Sequence, residues 1–572
     1  MNKLFGLYNK HRAKAILVLS VSTILIFDAT KAPGQNIEEL KNAKILEIKG
    51  SLSASAIFFD VDGRKSSRQP FTWLLRGTPI FYVYGIAIPV NIVVSEQERD
   101  FRQPFNRFGI RPTYKWVKLY AGYQNLTYSS YSLAGHAMTG AGIEMTPGKW
   151  RFSYMHGQLL RAVNSPLHVE DQDFRVQPSF RRVGDALKLG YGTQTNFIDV
   201  AILKARDIGS SLDSIPVESS LTPAENLVVA VRTEQRFLKT FNFAFEYARS
   251  IYTNDTRSEH AASSSLFSPL KFLLDEKTST ESSTAIEARL RYEGKIFFGG
   301  ISFQRIDPNY RSMGAYFFLN DIQKVTVDPG IKLFKDRLRI AGSYGYQENN
   351  LRDTKAFRTV RKIGSVNITV RAGKLYQFTG NYSNFGVGQK EVFNSIDPAQ
   401  QITQVTKNWS MNHSFTLQRQ NSMHNLNLMI NHQNLDDKNE NTAEFSNYSS
   451  STYAANYMLS LLPMLFSVNG GYTFTTYSIG QQDIGYYGPS INLNKSFFDS
   501  KLQIMVGANK FTNTTDENVT KRLSRYSFRA AYKVTRKQKI TLRAYLNKGE
   551  SPADTEKNYR ETKVELNYAY HF

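Results

Sequence analysis

Residues 562–572 (TKVELNYAYHF) alternate, with Ala569 the one apolar residue on the polar side. Thr562, Val564, Leu566, Tyr568, Tyr570 and Phe572 take one side, and Lys563, Glu565, Asn567 and His571 take the other. Successive side chains of an extended strand point to opposite faces. One face of this strand is therefore apolar and turns aromatic toward Phe572, while the other carries charges and an amide. That pattern is a strand with one side in an apolar medium and the other in water.

The same period recurs upstream. Phe241, Phe243, Phe245 and Tyr247 alternate with Asn242 and Glu246, and Ile286, Ala288, Leu290 and Tyr292 with Glu287, Arg289, Arg291 and Glu293. Leu426, Leu428 and Ile430 alternate with Asn425, Asn427 and Asn431, and Ile540, Leu542, Ala544 and Leu546 with Lys539, Thr541, Arg543 and Tyr545. Further copies lie at 117–123, 337–346, 502–508 and 526–533. Each approaches the ~9–11 residues of a tilted membrane-spanning strand. Polar breaks separate them at 434–441 (NLDDKNEN), 513–518 (NTTDEN) and 550–558 (ESPADTEKN), and tighter turns lie at Pro147-Gly148 and Phe498-Asp499-Ser500. The expectation is an all-β fold, a large antiparallel transmembrane barrel over 48–572 of about 22–26 strands, with no separate plug domain. A soluble sandwich array or propeller is the competing reading.

Composition agrees with a barrel. Hydrophobic residues are 41% and mean hydropathy is −0.39, too polar for a helical membrane bundle. A barrel tolerates this because only every second residue meets lipid. Tyr 32 and Phe 38 against Trp 4 suit strands and interfacial girdles. There is no cysteine, which excludes disulfides, thiolate metal sites, a thiol nucleophile and a lipidated N-terminal Cys. Net charge is +22. In an exported chain such charge suits anionic lipid headgroups, lipopolysaccharide or anionic solutes, not nucleic acid; the plainer reading is Lys and Arg on solvated loops.

Export is read from the N-terminus. Lys3, Lys10, Arg12 and Lys14 precede an apolar run at 15–27 (AILVLSVSTILIF), and small residues follow at Ala29, Thr30 and Ala32. The run is too short to span a bilayer and fits a signal peptide over 1–32, with a short segment at 33–47 before the barrel. An uncleaved anchor helix is the alternative.

The aromatic terminus at Tyr568, Tyr570 and Phe572 resembles the last strand of bacterial outer-membrane barrels, which implies recognition by the barrel-assembly machinery. Three further sets of residues resemble an uncharacterised family of large outer-membrane barrel proteins from the Bacteroidetes. The first comprises 103–109 (QPFNRFG), 112–116 (PTYKW), 131–142 (YSLAGHAMTGAG) and Pro147-Gly148-Lys149. The second comprises 305–314 (RIDPNYRSMG), 315–318 (AYFF) and Asn320-Asp321, and the third 382–385 (YSNF). The resemblance implies the barrel and the bacterial outer membrane, but no catalytic or ligand residue.

In 101–116, Phe101, Phe105, Phe108 and Trp116 could seal a constriction beside Arg102, Arg107 and Arg111; a structural inward turn with exposed arginines competes. Asp60-Val61-Asp62-Gly63 lacks the glutamate of a calcium loop and reads as a tight turn. His413, His424 and His432 fall on neighbouring strands without supporting carboxylates. His413-Ser414 would point to opposite faces. No Walker A, HExxH or GxSxG occurs, so neither an enzyme nor a cofactor is expected.

Two functions remain. One is a porin-like channel whose lumen face carries Arg289, Arg291, Arg337, Arg339, Arg529, Lys533, Lys539 and Arg543 against Glu246, Glu287 and Glu293, and so favours anions. The other is a non-conducting accessory barrel that binds a surface or secretion-apparatus partner. A plug-gated active importer is disfavoured by the short segment before the first strand.

Overall fold

The computed structural model describes residues 45–572 apart from 67, 84–85, 96–106, 165–177, 214–220, 262–272, 317 and 394–400. The signal-peptide reading therefore lies outside the described residues. One antiparallel sheet of 29 segments dominates. Three pairs of segments are single strands interrupted by a kink, at 46–62, 71–83 and 107–114, which leaves 26 strands. Each pairs with its neighbours in chain order, and Ser51–Asp62 pairs with the last strand, Tyr559–His571, from Ser51↔His571 to Asp62↔Arg560. That pairing closes the sheet on itself as a barrel. The Phe572 N–H donates to Gly50 O at 2.9 Å and completes the seam. Gly50 itself has φ +108°, and a Cβ there would lie 2.5 Å from Thr78 O, so the kink in the first strand requires glycine.

Connections at one end are short, such as 115–116, 294–296 and 534–537, while most at the other are longer, such as 161–180 and 254–279. Two expected loops are shorter than their composition suggests. The strand Ser422–Asp437 runs through the first half of NLDDKNEN, and NTTDEN reduces to the turn Asp516-Glu517, where φ is 47° and 65°. Positive φ at both central residues makes the type I′ turn that fits twisted hairpins. Beyond the lipid both strand faces meet water, so alternation disappears although pairing continues.

Exposed large apolar residues share one face around the ring: Leu189, Tyr191, Ile198, Leu290, Tyr292, Val325, Val327, Tyr453, Leu493, Phe528 and Leu566 are all more than a third exposed. This is the lipid-facing band. At the short-turn rim it ends in aromatic contacts, Trp150 with Tyr191, Phe241 with Phe237 and Tyr292, and Tyr570 with Phe572. Among the described residues no helix is long and apolar enough to cross a membrane.

Candidate functional site: the lumen and its internal latch

The residues between those lipid-facing positions point into the barrel, and the interior has two unlike walls. Across Ala137–Met145 to Thr280–Glu293 many inward positions are alanine: Ala186, Ala201, Ala205, Ala230, Ala248 and Ala285, each at most 2% exposed. Small side chains leave room, and two connections from the long-loop end fill it. Segments 126–136 and 307–321 fold inward and pair in parallel through Leu133↔Gly314 and Ala134↔Ala315. Tyr128, Tyr131, Leu133, Tyr310 and Met313 pack on the alanines with Met138, Met155, Leu203, Val228 and Ile306 in one buried cluster. The Tyr131, Tyr310 and Phe318 rings meet edge to face, with centroids 5.4–6.1 Å apart.

Polar anchors fix this latch. Glu246 and Glu287 face each other on adjacent strands. Glu246 accepts from Ser129 Oγ at 2.6 Å, Ser130 Oγ at 3.1 Å and the Tyr131 N–H at 3.3 Å. The Tyr131 hydroxyl donates to Glu287 at 3.0 Å and accepts from Gln304 Nε2 at 2.9 Å. Tyr310 Oη donates to Tyr131 O at 2.9 Å, Ser312 Oγ to Ser132 O at 2.6 Å, and the Met313 N–H to Asn226 Oδ1 at 3.0 Å. Burial pushes the Tyr131 and Tyr310 hydroxyls up, so both remain donors. His136 meets Leu159 O at 3.0 Å, and burial, then the Arg182 charge, hold its imidazole below the ordinary 6.5. Two facing carboxylates would repel in a bare lumen; here loop donors cover both.

Toward the short-turn end the same wall becomes charged. Lys118 pairs with Glu144 at 2.7 Å, Arg151 with Asp199 at 3.0 Å, Arg289 with Glu287 at 2.7 Å and Lys332 with Glu293 at 2.5 Å. Arg291 shares this inward face with Arg289, and Arg339 lies 4.3 Å from the centre of the inward Phe298 ring. A second basic group spans the last strands: Arg529 faces Arg543, and Lys533 faces Lys539. Glu565 takes Arg543 at 2.7 Å, while Arg529, Lys533 and Lys539 have no ion-pair partner among the described residues.

The remaining wall is neutral. Seven strands from Tyr376–Glu391 to Leu502–Thr515 present Asn, Ser, Thr and Gln inward, with charge only at the strand ends, on Glu391 and Asp437. Asn381 Nδ2 donates to Ser410 Oγ at 3.3 Å, Asn425 Nδ2 to Thr416 Oγ1 at 2.9 Å and Asn427 Nδ2 to Asn412 Oδ1 at 2.7 Å. Among the described residues, none between Val360 and Ala531 belongs to the buried apolar core.

Several expectations move. Arg337 lies in an exposed short-end turn, because Phe334, Lys335 and Asp336 take positive φ before the strand Leu338–Asn349 begins. No aromatic constriction forms from Phe108 and Trp116: both are exposed, and Phe108 pairs with Ile92 on the lipid face. Phe101, Arg102 and Phe105 lie outside the described residues, as does the Arg107 side chain, although the Arg107 backbone pairs with Val93. Arg111 is exposed at the kink of its strand. His413, His424 and His432 face outward and bond Tyr376, Tyr457 and Ser451 respectively, and no metal-holding group of three occurs among the described residues.

Alternation does not reveal the latch. Its signal is the pair of segments 197–205 (FIDVAILKA) and 227–231 (LVVAV), where both strand faces are largely apolar. A barrel strand apolar on both sides has lipid on one and packed protein on the other. The 131–142 and 305–321 stretches, far apart in sequence, are the parts that meet there.

This is a membrane-spanning β-barrel. The chain matches no known protein family, and no curated protein matches it in sequence. Among solved structures it is similar to OccAB2 of Acinetobacter baumannii, at 9% identity and a TM-score of 0.30, covering 68% of this chain and 98% of that one. It is also similar to the translocation pore of the P pilus usher PapC, at 11% and 0.31, covering 92% and 99%. For BauA, the ferric preacinetobactin receptor of Acinetobacter baumannii, the values are 9% and 0.37, covering 92% and 81%. Superpositions this loose assign no residue a role.

Proposed function

We propose that this chain is an outer-membrane channel for polar solutes, with its short turns in the periplasm and its long loops outside. The observation that carries the reading is the neutral inner wall. Rows of Asn, Ser and Thr without a packed core are stable only in contact with water, since buried amides and hydroxyls left unpaired are costly. Water therefore runs along one side while the latch fills the other. Arg529, Lys533 and Lys539, without an ion-pair partner among the described residues, give the short-turn vestibule a positive potential and favour anions. Chemistry is absent from this reading; the chain's partners are lipid, lipopolysaccharide, the assembly machinery at Tyr568–Phe572, and the solute. The competing reading, a non-conducting accessory barrel, rests on the latch extending to close the lumen. Purified protein in a planar bilayer separates the two. Discrete conductance steps with an anion-selective reversal potential that weakens at high salt support the channel; a silent or cation-selective barrel overturns it.

A further inference from the structure

At the long-loop end, where the neutral wall meets the last three strands, an inward cavity of about 330 Å³ opens. Tyr486 and Phe511, on adjacent strands, stack with centroids 4.5 Å apart and planes 16° apart. Beside them runs a polar chain. Arg525 Nε donates to Asn547 Oδ1 at 2.8 Å, Asn547 Nδ2 donates to Glu561 Oε1 at 3.2 Å, and Arg64 pairs with the other Glu561 oxygen. The terminal amino groups of Arg525 and the amide of Asn509 have no partner among the described residues.

We propose that this cavity is a saccharide-binding subsite that takes one pyranose unit of an oligosaccharide. A pyranose ring has an apolar C–H face and a rim of hydroxyls that both donate and accept. The aromatic pair offers a flat π surface for the first. The free Arg525 fork and Asn509 supply donors, and the Glu561 carboxylate supplies an acceptor for the second. A simple anion needs donors alone and makes no use of the aromatic face or of the Glu561 acceptor, which Arg64 already pairs. The site also opens onto seven strands of Asn, Ser and Thr, a surface that exchanges hydrogen bonds with hydroxyls without demanding charge. The subsite draws on the channel reading only in needing a wet lumen.

The test is calorimetric titration of the intact barrel in detergent with maltohexaose, cellohexaose, oligogalacturonate and inorganic phosphate. Saccharide binding that falls by about tenfold in Phe511→Ala and Arg525→Gln, and is restored by Phe511→Tyr, is expected. Heat-modifiable mobility verifies that each variant still forms the barrel. No binding of any of the three saccharides, binding indifferent to these changes, or phosphate binding as tight as saccharide binding overturns the proposal. Because titration does not depend on ion flow, a silent barrel that binds saccharide refutes the channel alone, and a conducting barrel that binds none refutes the subsite alone.

Discussion

Replacing Glu246 with alanine removes the acceptor shared by Ser129 Oγ, Ser130 Oγ and the Tyr131 N–H. Ser129 is fully buried and Tyr131 is 2% exposed, so the donors left behind find no water without opening. Each buried donor deprived of its partner costs about 1–3 kcal/mol. Two effects offset part of this. Ser129 Oγ also lies 3.2 Å from the Tyr131 N–H, and the change relieves the opposition of Glu246 and Glu287. A net loss of about 2–4 kcal/mol in latch docking follows, or roughly a 30- to 700-fold rise in the open population. Hydrogen–deuterium exchange reads it directly. Amides of 126–136 and 307–321, including that of Met313, which is anchored on Asn226, exchange faster by that factor, while strand amides on the neutral wall do not change. Glu246→Gln, which retains one acceptor, falls between. Protection of both segments unchanged in Glu246→Ala would refute the latch, and equal loss across the whole barrel would show that Glu246 supports the wall instead.

Three other outcomes follow. Ala248→Phe overfills the wall beneath the latch, costs about 1–3 kcal/mol and frees both segments in the same exchange assay while heat-modifiable mobility persists. Acidification weakens docking: His136 is held neutral when docked, so as pH falls through 6.5 the undocked state takes up a proton that the docked state refuses, and segment exchange rises below that pH but not above it. His136→Gln removes that dependence. Phe572→Asp puts a charge at the aromatic end of the closing strand and lowers assembled barrel more than the same change at Phe445, which is exposed in a loop-side helix.

The lipid face was legible because lipid imposes a strict period: Phe241 to Tyr247 and Tyr568 to Phe572 could be assigned from alternation alone. Inward placement of Arg289, Arg339 and Lys539 follows from the same period, whereas Arg337 fell just past the strand, in a turn that alternation does not mark. The latch was illegible for a physical reason. It joins residues about 180 apart, as in Ser312 with Ser132, and no local pattern encodes such a contact. Its trace is the alanine lining, which reads as an ordinary apolar strand until the barrel is closed around it. Nor does composition separate the neutral from the charged wall; only strand order places side by side seven faces that carry charge at Glu391 and Asp437 alone.

The chain has no cysteine, so single substitutions report accessibility without background. Asn427→Cys, Leu428→Cys and Ala230→Cys, each exposed to a membrane-impermeant thiol reagent in intact outer membranes, test the wall assignment most directly. The account predicts fast labelling at Asn427 on the wet wall, none at Leu428 in lipid, and protection at Ala230 that is lost when Glu246→Ala is added. Labelling of Leu428 in place of Asn427, or of Ala230 as readily as Asn427 with Glu246 intact, would contradict it.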